Sequence, residues 1–540
     1  MDKIIKKEIN GAELLVNTLK DHGVKYIFGV PGDIENVFFK HLKDSEITFF
    51  NTMHEQSGAM MADVYSRLTG EIGVCFSTLG PGATNMVTGI ANAYQDRSSV
   101  LALSGQLPLN QQYRDSHQYV DLVELYKPIT KKAHMVHRAK DIHSKIHELI
   151  QLAKTESKGP VHVSLPVDIL SENAEGYRTI ENTEKVLFHF DEQLGDLYEA
   201  IKKANSVVAI VGNGVIRSKS GESLAKFLEE YNIPFFSSFQ GKGAIPSSHP
   251  LNCGVLSRHS AAIKEVLRKQ DLIITFGYDV IEGVTQDIWK GAKKVAHIGN
   301  NTPSGDYATY NPDIEIIANM NSVFEKLSKF KITKKEDLDL ESMRIRIEPP
   351  EGIDFLFPLH PAKVIQEVGD LLEETDIVIS DVGLHKQAIG LYLEVQVPNR
   401  VIYSNGLSTM GFALPASIAA KLVSPNKKVV AICGDGGFQM NIQELATAIE
   451  RKLPIVCIVM NDEAYGMVKN KQLETFGNHY GAEFIGERNF ASIAKGFGTE
   501  GFRITKTEEF KPILKQALES NKVCVIDVPV QQYNDISMMK

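Results

Sequence analysis

Cysteine is scarce in this 540-residue chain: Cys75, Cys253, Cys433, Cys457 and Cys524 are scattered and odd in number. They show no zinc-ligand spacing and sit mostly in apolar runs, which predicts buried, reduced thiols of the kind found in a cytosol. Basic residues are also in deficit, with 58 Lys and Arg against 67 Asp and Glu and a net charge of −9. No basic stripe interleaved with aromatics appears, so a general nucleic-acid surface is excluded. No apolar run reaches the roughly 18 residues of a membrane span. The opening MDKIIKKEING has no apolar core for a signal peptide. Short-period repeats and low-complexity segments are absent as well. The expectation is a soluble, cytoplasmic chain that binds neither nucleic acid nor membrane.

What is present is a globular composition, 43% hydrophobic and 23% charged. The length calls for three or four domains at roughly 150 residues each. Three α/β blocks emerge, at 1–175, 188–335 and 355–540. The first has strand-like runs YIFGV, ITFFN, VCFST, SVLALSG and VHVSLP. The second has SVVAIVG, IPFFSS, DLIITFG and KVAHIG, and the third has IVISDVG, VIYSNG, VVAICGDGG, IVCIVMND and VCVIDVPV. Strands alternating with helical segments predict a doubly wound parallel sheet in each block. Polar 171–185 and charge-rich 332–352 read as linkers.

The most informative stretch is Gly434-Asp435-Gly436-Gly437, followed by a helix expected over 438–449 and then Asn461-Asp462-Glu463-Ala464. VVAIC and PIVCIVM read as adjacent parallel strands, so both polar clusters fall at strand carboxyl ends, where open α/β sheets bind ligands. Glycine lets backbone approach a phosphate, and a helix amino terminus offers free N–H groups to an anion. Two carboxylates beside phosphates repel unless a hard divalent cation lies between them, and Mg²⁺ suits that oxygen-rich arrangement. A simpler reading remains open, in which the glycines make a tight turn and Asp435 caps a helix.

A second pattern precedes the helix EQSGAMMADVYSRL, where His54-Glu55 ends a strand run. The neighbours of Glu55 are small or apolar, which predicts a partly dry pocket for this acid. STLGPGATN sets Gly80 and Gly82 in a strand-to-helix turn, with Asn85 just beyond. Read alone, Glu55 is also a favourable first-turn acid, worth ~0.5 kcal/mol.

Together these patterns resemble the thiamine-diphosphate-dependent enzymes over nearly the whole chain, as pyrimidine-binding, central and diphosphate-binding domains in that order. The resemblance implies thiamine diphosphate and Mg²⁺ as cofactors. It makes Asp435 and Asp462 side-chain metal ligands and Ala464 a backbone-carbonyl ligand, although Asp462 stands where Asn is usual. Glu55 would bond N1′ of the aminopyrimidine and favour the imino tautomer that generates the C2 ylid. Met410 would wedge the cofactor into its bent shape, and the carbonyl of Ser408, placed where Gly is usual, would accept from its amino group. The Asp381–His385 turn would meet the diphosphate through His385. Pro31, Gly32, Asn85, Gly434, Gly436, Gly437, Tyr465, Gly466 and Met467 would complete the cofactor contacts. The family's site lies between two subunits, which implies a homodimer or a dimer of dimers.

Within the family the chain is most similar to acetolactate synthases of the flavin-independent, catabolic type. Simple decarboxylases carry a Glu where this chain has Val468, and paired histidines where it has Ser116-His117-Gln118. The flavin-dependent forms have an Arg near the GYD turn that is missing here, so FAD is not expected. Gln118 is the candidate for orienting the intermediate. Asp33, in VPGDIENVF, departs from the synthases and resembles the decarboxylases, where such an acid moves protons near C2; it equally suits a helix cap. Asn470 and Lys471 replace an aromatic usual after Gly-Met-Val. The expected reaction is decarboxylation of pyruvate or another small 2-oxo acid and ligation to a second one, giving acetolactate. The alternatives are release of an aldehyde, or a flavin-containing oxidoreductase of the same family. Gly212-Asn213-Gly214 after SVVAIV also hints at a dinucleotide site, but the third glycine is missing and AHIGNN ends in no acid.

Overall fold

The computed structural model describes the chain except residues 1–2, 5–8, 176–177, 180–189, 257–259, 284–287, 303–310, 331–338, 346–347, 350 and 533–540. About half of the two segments expected as linkers lies outside the described residues. Contacts group the chain into two units. One is Met1–Lys185 with Leu407–Asn426 and Gly437–Ile455; the other is Val186–Gly406 with Lys427–Gly436 and Val456–Lys540.

Three six-stranded sheets, each parallel throughout, form the framework. The first unit holds β1 (Tyr26–Gly29), β2 (Thr48–Asn51), β3 (Gly73–Ser77), β4 (Val100–Gln106), β5 (Lys132–Met135) and β6 (Val161–Pro166). They lie in the order β2-β1-β3-β4-β6-β5. The second unit holds two sheets. One comprises β7 (Val207–Val211), β8 (Phe235–Ser237), β9 (Asn252–Val255), β10 (Leu272–Phe276), β11 (Lys294–Gly299) and β12 (Ile314–Ile317), ordered β9-β8-β7-β10-β11-β12. The other comprises β13 (Ile377–Ser380), β14 (Val401–Tyr403), β15 (Val429–Gly434), β16 (Val456–Asn461), β17 (Glu500–Arg503) and β18 (Cys524–Pro529), ordered β14-β13-β15-β16-β18-β17.

Strands such as VVAIV and LIITF are buried at every residue, because crossover helices cover a parallel sheet on both faces. The expected strands are all found. The four that the sequence reading missed, β5, β9, β12 and β17, are sheet-edge strands. The helix expected over 438–449 is instead two, Asp435–Met440 and Glu444–Glu450. Asn441 interrupts it, with its side-chain N–H₂ donating to the Gly411 carbonyl at 2.7 Å. All five cysteines are free and buried. Among the described residues no helix is long and apolar enough to cross a membrane.

In the first unit the helix Glu55–Thr69 is the packing axis, with neighbours Pro81–Gln95 and Ala413–Val423. Small residues permit that closeness: a Cβ on Gly89 would sit 2.5 Å from the Ala59 Cβ. His54 caps its start, accepting from the Gln56 N–H at 3.2 Å, and Gly70 ends it at φ 77°. Near its end, Arg67 bridges Asp63 at 2.7 Å and Asp96 at 2.8 Å, with both carboxylates fully buried. Burial works against charge on Asp63, and Arg67 opposes that upward shift. Removing one member of such a buried set leaves uncompensated charge. Arg67→Leu is expected to destabilise the unit by about 3–5 kcal/mol, read as a lower urea midpoint.

Candidate active site

In the third sheet, strand order reverses between β13 and β15, and two turns meet at that crevice, the position at which open α/β sheets take ligands. After β13, the chain turns through Asp381–Gly383 into the helix Leu384–Tyr392, whose His385 is buried. A Cβ on Gly383 would lie 2.7 Å from His385 Cε1, and one on Gly434 would lie 3.3 Å from it. Both glycines therefore make room for the imidazole. Burial lowers its pKa to about 4, so the ring is neutral, and its Nε2 has no hydrogen-bond partner.

After β15, Asp435 opens the helix Asp435–Met440. It is 1% exposed; Oδ1 accepts from the Gly436 N–H at 2.8 Å, while Oδ2 has no donor. From the end of β16, Asp462 faces it across a turn made sharp by Glu463 at φ 56°. Lys469 Nζ binds Gln532 Oε1 at 2.6 Å, and Gln532 Nε2 donates to the Asp462 carbonyl at 2.8 Å, which pins this turn. Gly436 must be glycine, since a Cβ would lie 2.6 Å from the Tyr465 ring and 3.2 Å from Phe484. Gly466 likewise faces the Asp462 carboxylate and Leu384. Eight expected residues are thus gathered in one unit: His385, Gly434, Asp435, Gly436, Asp462, Ala464, Tyr465 and Gly466. Met467 and Val468 follow, 41% and 51% exposed.

Burial raises the pKa of Asp435 to about 7, with Asp462 adding repulsion, and burial raises Asp462 to about 6. Among the described residues no cluster of three or more His, Cys, Asp or Glu forms a closed metal site. Two carboxylates, one of which has an oxygen without a donor, beside a glycine-lined helix start suit a cation whose remaining ligands come from a phosphate and water. The residues therefore fit a magnesium diphosphate.

The first unit gathers the other group. Glu55 is 8% exposed and its Oε2 accepts from Asn85 Nδ2 at 3.0 Å. Its Oε1 lies 3.2 Å from where a Cβ on Gly82 would be. Gln118 is exposed at φ 57°, with its backbone pressed against Gly80. Pro31 and Asp33 are exposed on the turn after β1, and Gly32 is half-buried. Ser408 adopts φ 54°, the left-handed region that explains why a glycine is usual there. Met410 is half-buried on the same turn, and Gly437 is buried at the head of its helix. Glu35 and Thr78 escaped the sequence reading and are discussed below.

Comparison with known proteins agrees with this geometry. Residues 9–125 match the thiamine pyrophosphate enzyme N-terminal TPP binding domain, 194–327 the central domain, and 381–528 the C-terminal TPP binding domain. The chain belongs to the thiamine pyrophosphate enzyme family. It is 32% identical to a probable acetolactate synthase large subunit of Methanocaldococcus jannaschii, over 98% of this chain and 93% of that one. It is 30% identical to an acetolactate synthase of Bacillus subtilis, over 98% of this chain and 94% of that one. The Escherichia coli acetolactate synthase isozyme 3 large subunit is 32% identical over 97% and 95%. Within the family, then, this is an acetolactate-synthase-like carboligase.

The acid pair gives the cofactor complex a pH dependence of definite sign. In the folded apoprotein Asp435 and Asp462 keep protons up to about 7 and about 6, against 3.8 when exposed. Their contribution to stability is present below the unfolded value and lost as pH rises towards 7. A cation that bound the ionised pair would reverse that loss. The melting-temperature gain on adding Mg²⁺ and thiamine diphosphate should therefore grow between about pH 5.5 and pH 8, and Asp435→Ala should abolish it.

Proposed function

We propose that this chain decarboxylates pyruvate and joins the remaining two-carbon unit to a second 2-oxo acid, giving acetolactate when that acid is also pyruvate. The observation that carries the reading is the acid pair of buried Asp435 and half-buried Asp462 at adjacent strand ends, in a chain with acetolactate synthase relatives over nearly its full length. Asp435, Asp462 and the Ala464 carbonyl hold Mg²⁺. His385, Gly434, Gly436 and Gly437 flank the diphosphate, while Pro31, Gly32, Asn85, Tyr465, Gly466 and Met467 complete the cradle. Bound thiamine diphosphate supplies the carbon nucleophile and the electron sink that lets CO₂ leave.

Glu55 holds a proton at the aminopyrimidine N1′, and the Ser408 carbonyl accepts from the 4′-amino group. Met410 would pack against the cofactor, and Gln118 would orient the oxo acid. Val468, apolar and on the first turn of Gly466–Phe476, offers no proton at the position where the decarboxylases have a Glu. That favours ligation over aldehyde release. The three blocks at 1–175, 188–335 and 355–540 act as pyrimidine, central and diphosphate domains in a cytoplasmic homodimer or dimer of dimers. The site is shared between subunits.

The central sheet supports a reading without flavin. Its strand order reverses between β7 and β10, and at that crevice the Glu282 carboxylate accepts from the Asn213 N–H at 3.1 and 3.2 Å and the Asp279 N–H at 3.1 Å. Ser238 donates to the same group. The chain's own acid thus fills the position a dinucleotide phosphate takes in such a fold.

Product analysis with pyruvate tests the reading: acetolactate is expected, and acetaldehyde would instead indicate a simple decarboxylase. Glu55→Gln should retain cofactor affinity and slow turnover by about 10²–10⁴-fold. Unchanged turnover would remove Glu55 from this role.

A further inference from the structure

The first sheet reverses strand order between β1 and β3, and an acid with no part in the reading above sits at that crevice. Glu35 follows the Pro31–Gly32–Asp33 turn and is fully buried, whereas Asp33 at the tip is exposed. Its Oε1 accepts from the Thr78 hydroxyl at 2.9 Å, and its Oε2 has no donor. Two glycines make space for the carboxyl. A Cβ on Gly105, in β4, would collide with Oε1, and one on Gly32 would collide with Oε2 and with Thr78. Thr78 at the end of β3 is half-buried, so its hydroxyl joins the hidden acid to the crevice. A Cβ on Gly82 would lie 3.0 Å from the Thr78 methyl and 3.2 Å from Glu55 Oε1, so this pair borders the Glu55 site.

We propose that Glu35 is a positioning residue that sets the direction of the Thr78 hydroxyl, and that Thr78 so oriented receives the carboxylate of the 2-oxo acid. This rests on the 2-oxo-acid reading above. When Glu35 is neutral, its own O–H donates to Thr78 and leaves the threonine proton free to point at an anion. When Glu35 is ionised, it claims that proton, and Thr78 presents only lone pairs to the substrate. Burial, with Asp33 adding repulsion, pushes Glu35 up to about 7. The groups facing it from the neighbouring strands, Thr78 and Gly105, are neutral, and Glu55 is the next acid, beyond Gly82. The change between the two states therefore falls within the working pH range.

The test compares wild type, Glu35→Gln and Thr78→Val from about pH 5 to pH 8.5. The amide of Glu35→Gln donates at every pH, so its KM for pyruvate should stay flat, while that of wild type rises about tenfold through pH 7. Thr78→Val should show the high KM throughout. An equal pH dependence of KM in wild type and Glu35→Gln would overturn the proposal. Melting of the apoproteins reads the same proton without turnover. A buried acid that keeps its proton loses its stabilising contribution as pH rises from about 4.5 to 7. The wild-type melting temperature should fall relative to Glu35→Gln over that interval, and parallel curves would also overturn the proposal. If pyruvate gives no acetolactate while the melting curves diverge, the substrate assignment fails and the protonated acid stands.

Discussion

A carboxyl oxygen with no donor, buried at the tip of β15, is the constraint on which the glycine-lined crevice of the third sheet depends. Asp435 Oδ2 lies in a crevice that already disfavours charge, and the nearest acid, Asp462, makes matters worse. Such a pair is a standing cost to the folded chain unless a cation repays it. The surrounding glycines follow from the same requirement. Gly383 and Gly434 admit His385, Gly436 admits Tyr465 and Phe484, and Gly466 admits the Asp462 carboxylate. Shape and charge there suit a multiply charged anion accompanied by a cation.

The three sheets answer the same topological opportunity in three ways. Each reverses strand order beside its first strand and opens a crevice at the carboxyl ends of two strands. In the third sheet the crevice holds the acid pair. In the central sheet it is closed by Glu282, whose carboxylate satisfies the N–H groups that would otherwise seek a phosphate. In the first it holds Glu35 against Thr78. The first and third sheets share one strand order and the central sheet has another, so similarity of topology follows the cofactor-binding halves of the family pattern.

Much of this was legible in the sequence because the relevant signals are local. Strands buried on both faces read as unbroken apolar runs, as VVAIV and LIITF do. Some edge strands lack that signature: KAHM is nowhere buried, and EGFR carries charge at both ends. Asp435 and Asp462 were legible because glycine and aspartate cluster within a few residues of a strand end. Glu35 was not, since its significance depends on Thr78 and Gly105, which belong to other strands. Asp33 drew attention on the same turn, yet it is the exposed acid and Glu35 the enclosed one. Gly212-Asn213-Gly214 looked like the start of a nucleotide site for a sound reason. The backbone there does donate to an acidic group, but one supplied by the chain itself.

Glu35, Gly32 and Gly105 form an interlocked set whose history cannot be written one substitution at a time. While the acid remains, neither glycine tolerates even a methyl group, because the volume is already occupied by its carboxyl oxygens. Loss of the acid, conversely, would leave a void that a larger residue at Gly105 is well placed to fill, whereas Gly32 would still face Thr78. Lineages descending from a common ancestor should therefore carry either the acid with glycine at position 105 or a smaller apolar residue with a bulkier one there. Intermediate combinations should be rare.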